Sequence, residues 1–231
     1  MEYQDINEAA IDRWVEQGWE WGRPISHEVY AAALWGQWDV QLTPTKMVPH
    51  AWFGELRGKK VLGLASGGGQ QMPIFAALGA ECTVLDYSER QLASERLVAE
   101  REGYAIRIIR ADMTKRLPFA DETFDLIFHP VSNCYVREVK PIWKECFRVL
   151  KPGGAFVVYD YATAHSYASY GETIQTAIAL ISKGGFGAMI ESRAQWEQYF
   201  QSAGFQNLRV ADLSQDVLPD LIRLERKARR I

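Results

Sequence analysis

The sequence predicts an α/β protein built on a parallel sheet, and three observations carry that prediction. Short apolar runs alternate with helical stretches of roughly 10–15 residues between Lys60 and Tyr159, the rhythm of βαβ units. The first run, Val61, Leu62 and Leu64, leads at once into Gly67, Gly68 and Gly69. Carboxylates, Asp86 and Asp112, stand directly after the second and third runs, where parallel sheets bind ligands.

Residues 1–58 differ from the rest. They hold Trp14, Trp19, Trp21, Trp35, Trp38 and Trp52, six of the eight tryptophans. Asn7 to Gln17 has helical spacing, and a second helix is expected after a Ser26 cap. Thr43-Pro44-Thr45-Lys46 and Val48-Pro49 read as an extended, proline-punctuated connection. Two roles stay open for the aromatics: a packing layer over the main domain, or a lid that walls a ligand pocket. We take 1–58 as an aromatic helical lid packed on the core, and 59–231 as the main domain.

In the main domain the first strand is expected at 60–65 and a helix at 70–78, stopped by Gly79. A second strand follows at Cys82–Asp86. Ser88 and Gln91 form an S-x-x-Q capping box that opens a helix to about Glu102, ended by Gly103. Ala105 to Arg110 makes a third strand and Phe124 to Phe128 a fourth. Val139 to Leu150 carries Ile142, Trp143, Cys146 and Phe147 on one helical stripe. Lys151-Pro152-Gly153-Gly154 is a stop, and Ala155 to Tyr159 a fifth strand. Residues 162–192 break the rhythm and read as an inserted cap. Ser192 to Ala203 is helical, and 205–213 and 221–225 read as an antiparallel strand pair.

Composition limits the function. The chain has 231 residues, 48% hydrophobic and 24% charged, with a net charge of −3, which argues against a dedicated nucleic-acid binder. No apolar run reaches the ~18–20 residues of a membrane span, and Met1 to Asp5 has no signal-peptide character. Cys82, Cys134 and Cys146 lack metal-ligand spacing and read as free thiols, so no metal and a cytoplasmic location are expected. The Arg226–Arg230 cluster reads as a solvated tail.

The glycine turn could serve several nucleotides. A dinucleotide fingerprint needs a third glycine where this chain has Met72, and no Gly-Lys-Ser/Thr follows for a phosphate loop. Asp86, seventeen residues after Gly69, suits two ribose hydroxyls. Asp112 suits an exocyclic amine such as adenine N6, with the Met113 N–H beside a ring nitrogen. Together they describe a nucleoside edge.

Val61 to Gly69, Asp86, Ala111-Asp112-Met113, Leu117-Pro118-Phe119 before Phe124-Asp125-Leu126-Ile127, and Arg148 to Gly154 resemble the class I S-adenosylmethionine-dependent methyltransferases. The resemblance covers about 59–160 and more loosely 193–227. It implies a Rossmann-like, doubly wound sheet of seven strands, order 3-2-1-4-5-7-6, with the seventh antiparallel. It implies S-adenosylmethionine as cofactor, held by Ala65, Ser66, Gly67, Gly69, Asp86, Tyr87, Asp112, Met113 and His129. Two departures stand out: Gly63 replaces the usual strand-one acid, and Ala65 the usual first glycine. The methionine amino group is then left to backbone carbonyls of Ala65 and His129 or to Gln70 and Gln71, and its carboxylate to Lys46 or Thr45. Methyl transfer is mostly a positioning problem. His129 is the candidate base, and Asn133, Tyr135, Asp160, Tyr161 and His165 the candidate acceptor pocket. A small-molecule acceptor is expected. RNA or protein methylation, or cofactor binding without catalysis, are the alternatives.

Overall fold

The computed structural model describes residues 2–43, 45–160, 162, 171–172 and 191–213. Its centre is a parallel sheet of β3 (Lys60–Leu64), β4 (Glu81–Asp86), β5 (Ile106–Arg110), β6 (Phe124–Pro130) and β7 (Leu150–Tyr159), in the order β5-β4-β3-β6-β7. These are the first five expected strands in their expected order. Val61 pairs with Cys82 on one side and Leu126 on the other, so β3 lies where strand order reverses.

Side chains alternate across the sheet with the strand period of two. Val61, Val84 and Phe128 join one core with Phe53, Phe75 and Leu92. Leu62, Leu85 and Ile127 join the other with Ile142, Trp143 and Trp196. The first core is covered by α2 (His27–Leu34), α3 (Met72–Ala77) and α4 (Glu89–Glu102). The second is covered by α5 (Lys140–Val149) and α6 (Arg193–Ala203). Trp143 stacks on Phe200 at 3.8 Å, which fastens α6 to α5.

The termini of these helices follow their sequence signals. The Ser88 hydroxyl accepts from the Gln91 N–H at 3.1 Å, and Gly103 ends α4 with φ +73. The reciprocal half of the α4 box is absent: the Gln91 side chain lies against Gly67 and Gly68 instead. The full box is found at α6, where Ser192 and Gln195 cap each other.

Four expectations change. The first helix, α1 (Tyr3–Glu16), begins four residues earlier than its apolar spacing suggested. The proline-punctuated connection is a small antiparallel hairpin, β1 (Gln41–Thr43) with β2 (Lys46–Met47), because the Thr43 hydroxyl accepts the Lys46 N–H at 3.1 Å and turns the chain. The Lys151–Gly154 stop does not separate α5 from β7; it is absorbed as a register irregularity at the start of β7, with Gly153 at φ +77. Residues 205–213 carry no strand, since a strand exists only by pairing and no partner lies beside them among the described residues. The 221–225 strand, Tyr161, His165 and nearly all of the 162–192 cap lie outside the described residues.

Candidate functional site

A cavity of about 450 Å³ opens at the carboxyl ends of the sheet strands. Its floor includes Ala65, Ser66 and Gly67 after β3, Asp86 at the end of β4, Asp112 after β5, and Pro130 at the end of β6. Its roof comes from outside the sheet: Gln4, Asn7, Glu8 and Ile11 of α1, then Trp19 and Trp21. Leu42 and Thr43 of the hairpin close one side, facing Tyr135, Val136 and Tyr159. The other tryptophans sit elsewhere. Trp38 stacks on His50 at 3.7 Å, Trp52 packs against the core, and Trp35 is 87% exposed.

Two carboxylates shape one end. Asp86 accepts the Gly67 N–H and the Ser88 N–H, one on each oxygen, both at 3.0 Å. Each oxygen keeps a lone pair for a ligand hydroxyl. Burial raises the Asp86 pKa, opposed by these N–H bonds. Asp112 accepts the N–H and the hydroxyl of Thr114 on Oδ1, at 2.8 and 2.6 Å. Its other oxygen accepts from the Gln4 amide at 3.1 Å. Met113 and Tyr87 also line the cavity, and the Tyr87 hydroxyl donates to Asp5 of α1 at 3.0 Å.

The turn after β3 is not organised as the glycines suggest. Room at Gly68 and Gly69 is taken by protein, not left for a ligand. A Cβ at Gly69 would meet the Ser94 carbonyl at 2.8 Å, and one at Gly68 the Trp21 carbonyl at 2.8 Å. The Gly69 N–H donates to Glu95 at 2.8 Å and its carbonyl accepts from the Ile25 N–H at 2.9 Å, so Gly69 faces α4 and the N-terminal segment instead of the cavity. Helix α3 is only six residues long and contributes little dipole, unlike a phosphate-binding helix.

Gly63 has a packing reason. A Cβ there would sit 2.7 Å from the Met72 sulfur. The departures at Gly63 and Met72 therefore explain each other: Met72 fills the space that a residue larger than glycine at 63 would need. Gln70 donates to the carbonyls of Glu20 and Arg23 at 2.8 and 3.0 Å, tying the turn to the N-terminal segment. Gln71 is buried and lines the cavity, its Oε1 accepting from the Ser66 hydroxyl at 3.1 Å. Lys46 stands on β2, half-buried, paired with Thr43 and not itself among the residues that line the cavity.

His129 does not reach the cavity. It is 0% exposed. Its Nδ1 lies 2.8 Å from the Leu64 carbonyl and its Nε2 3.0 Å from the Asn133 carboxamide. Burial lowers its pKa, against the effect of both bonds. A carbonyl only accepts, so the neutral ring carries its proton on Nδ1 and accepts at Nε2. The Asn133 amide meets that need by turning its NH2 inward, the orientation that also pairs a nitrogen otherwise buried without a partner. The expected base is thus a strut between the ends of β3 and β6, and Asn133, expected in the acceptor pocket, is its other half. Cys134 is buried, and burial pushes its thiol up to about 12. Tyr135 does line the cavity. Asp160 is outside the lining, though its charge reaches His129.

Comparison with known proteins reads the same region. Residues 62–158 match the family described as a methyltransferase domain. The uncharacterised methyltransferase YbaJ of Bacillus subtilis (strain 168) is 48% identical over 151 residues, 65% of this chain and 59% of its own. The chain belongs to the class I S-adenosylmethionine-dependent methyltransferases. Squalene methyltransferase 1 of Botryococcus braunii is 26% identical over 200 residues, 85% of this chain and 52% of its own. The solved structure of phosphoethanolamine N-methyltransferase 2 from Haemonchus contortus, in complex with S-adenosyl-L-methionine, aligns with a TM-score of 0.69 at 17% identity. That likeness is one of fold, and covers 100% of this chain and 50% of the other. This chain therefore spans only about half to three-fifths of these proteins' length.

S-adenosylmethionine is the methyl donor this methyltransferase family implies, and the cavity chemistry fits it. Glu8, Glu20, Asp86 and Asp112 line the cavity, and no Lys or Arg does among the described residues. Such a wall suits a cationic sulfonium and opposes the pyrophosphate of a dinucleotide. Sequence reasoning missed Gln4, Ser132 and Glu95, and had Trp21 only as one of six N-terminal tryptophans. The Ser132 hydroxyl lies 2.6 Å from the Pro130 carbonyl and 2.9 Å from the Ala65 carbonyl, between the chain leaving β6 and the chain leaving β3. Glu95 alone left a signal, as an acid on the buried stripe of α4. No helix among the described residues is long and apolar enough to cross a membrane.

Proposed function

We propose that this protein transfers the methyl group of S-adenosylmethionine to a small, largely apolar acceptor enclosed beneath α1 and the aromatic segment that follows it. The observation that carries this reading is the cavity itself: lined by four carboxylates and by aromatic side chains, and roofed by residues outside the sheet. The cofactor supplies an activated methyl on a sulfonium, and the chain supplies position. Asp86 accepts the ribose hydroxyls. Asp112 and the Met113 N–H take the adenine edge. Gln71 with Ser66 holds the amino-acid end in place of the strand-one acid. Trp21, Leu42, Tyr135, Val136 and Tyr159 wall the acceptor.

His129 is assigned no proton transfer, because both ring nitrogens are committed inside the protein. An acceptor with an available lone pair or π bond can attack the methyl without first losing a proton, and where a π bond attacks, the resulting cation gives its proton to water or to a carboxylate of the cavity lining. The relative named for squalene methylation acts on an apolar molecule of that kind. The acidic cavity edge and the roof argue against an RNA substrate, which needs a basic, open face.

The test is formation of S-adenosylhomocysteine when the protein and cofactor are incubated with fractionated small-molecule extracts. Fraction-dependent product, lost with Asp86→Ala, is expected. Cofactor binding with no product across all fractions leaves a binding module. A thermal shift with NAD and none with either S-adenosyl nucleoside would overturn the cofactor assignment.

A further inference from the structure

The Gln4 side chain lies at the adenine end of the cavity with one half of its amide used and the other half not. Its Nε2 donates to Asp112 at 3.1 Å and to the Thr114 hydroxyl at 3.3 Å. The orientation is dictated by chemistry. Asp112 only accepts, and the Thr114 hydroxyl has given its proton to Asp112. Turning the amide over would set oxygen against oxygen. The Gln4 Oε1 is therefore left buried and with no protein partner, on a residue that lines the cavity.

A buried acceptor beside a carboxylate is a receptor for a group with two protons. The exocyclic amine of adenine has two, and one acceptor cannot use both. We propose that Gln4 is an adenine-specificity residue, its Oε1 accepting one N6 proton while Asp112 accepts the other. The inference rests on the cofactor reading above and extends it to α1. Hypoxanthine presents a carbonyl in place of the amine, and would set that oxygen against both Oε1 and Asp112. Refusal of an analogue that leaves a buried site unpaired is the strong form of discrimination. It also makes α1 part of the nucleoside site and not only its cover.

The experiment measures calorimetric affinity for S-adenosylhomocysteine and its inosine counterpart, in the wild type, Gln4→Ala and Asp12→Ala. Asp12 accepts the Ser88 hydroxyl at 2.5 Å from farther along α1 and does not line the cavity, so its variant loosens the helix without altering the adenine edge. The wild type should prefer the adenine ligand strongly. Gln4→Ala should lower that preference about tenfold or more. Asp12→Ala should keep the preference even if both affinities fall. An unchanged preference in Gln4→Ala overturns the inference. Tighter adenosine binding in Gln4→Ala overturns it too, by making Gln4 a competitor for the adenine position. Failure of the wild type to bind either ligand removes the cofactor reading itself, and this inference with it.

Discussion

Gln71→Ala separates the amino-acid end of the cofactor from the nucleoside end. The Gln71 side chain is 6% exposed and bonded to Ser66, which is 2% exposed. Its Oε1 can accept from an ammonium and its Nε2 can donate to a carboxylate, so one amide can address both charges of a methionine tail. Hydrogen bonds to charged groups contribute about 1.5–3 kcal/mol each, so losing one weakens binding about ten- to 150-fold. Methylthioadenosine carries the same nucleoside without the ammonium and carboxylate, and its affinity should change less than about threefold. The substitution also leaves the Ser66 hydroxyl buried without its partner, at about 1–3 kcal/mol of stability. Ser66→Ala/Gln71→Ala removes that orphan and should bind like the single variant while melting higher. Calorimetry with S-adenosylhomocysteine and methylthioadenosine reads the difference directly. Equal weakening for both ligands, or none for either, would refute the assignment and return the tail to backbone carbonyls.

Two further predictions concern the turn itself. Burial raises the Glu95 pKa to about 8, against the Gly69 N–H bond and helped by the Asp86 charge. A carboxyl raised above its unfolded value keeps its proton in the folded state while the unfolded chain loses it. Its stabilising effect is complete below about pH 4.5 and declines by about 1.4 kcal/mol per pH unit toward pH 8. Glu95→Gln should remove that part of the slope, so urea midpoints of the two proteins should diverge in the variant's favour from pH 5 to pH 8; parallel curves would mean that Glu95 ionises normally. Gly69→Ala combines φ +68 with a Cβ 2.8 Å from the Ser94 carbonyl and should cost at least about 2–3 kcal/mol. Gly103→Ala, at φ +73 with nothing within 4 Å, should cost only the backbone strain of about 1 kcal/mol, so similar losses at both would refute the packing argument.

The centre of the sheet was legible because β3 and β6 are buried on both faces and show as apolar runs: Val61, Leu62 and Leu64, then Leu126, Ile127 and Phe128. The stations after the strands were legible too, since strand ends fix where Asp86 and Asp112 must stand. What lies across the cavity from them was not. Gln4 meets Asp112 from 108 residues away, and nothing local to either position announces it. The three glycines announced close approach without saying of what, and α4 with the Trp21 carbonyl claimed most of it. His129 was placed correctly at the strand end, but whether its ring turned toward ligand or core depended on the Leu64 carbonyl and Asn133 meeting it in space. Gly63 and Met72 looked like two separate departures, and only the 2.7 Å approach made them one.

Helix α1 has no fully buried residue and is held over the cavity by polar side chains: Glu8 to Arg110 at 2.6 Å, Glu16 to Arg90 at 2.6 Å, Asn7 to the Tyr135 carbonyl at 3.0 Å. Every one of those groups has water as an alternative partner, whereas the strands beneath have none. Amide hydrogens of α1 should therefore exchange through a local opening far shallower than the unfolding that releases those of β3 and β6. On that footing raised ionic strength should loosen the roof of the cavity, which rests partly on ion pairs, while leaving the floor formed by the strands unchanged.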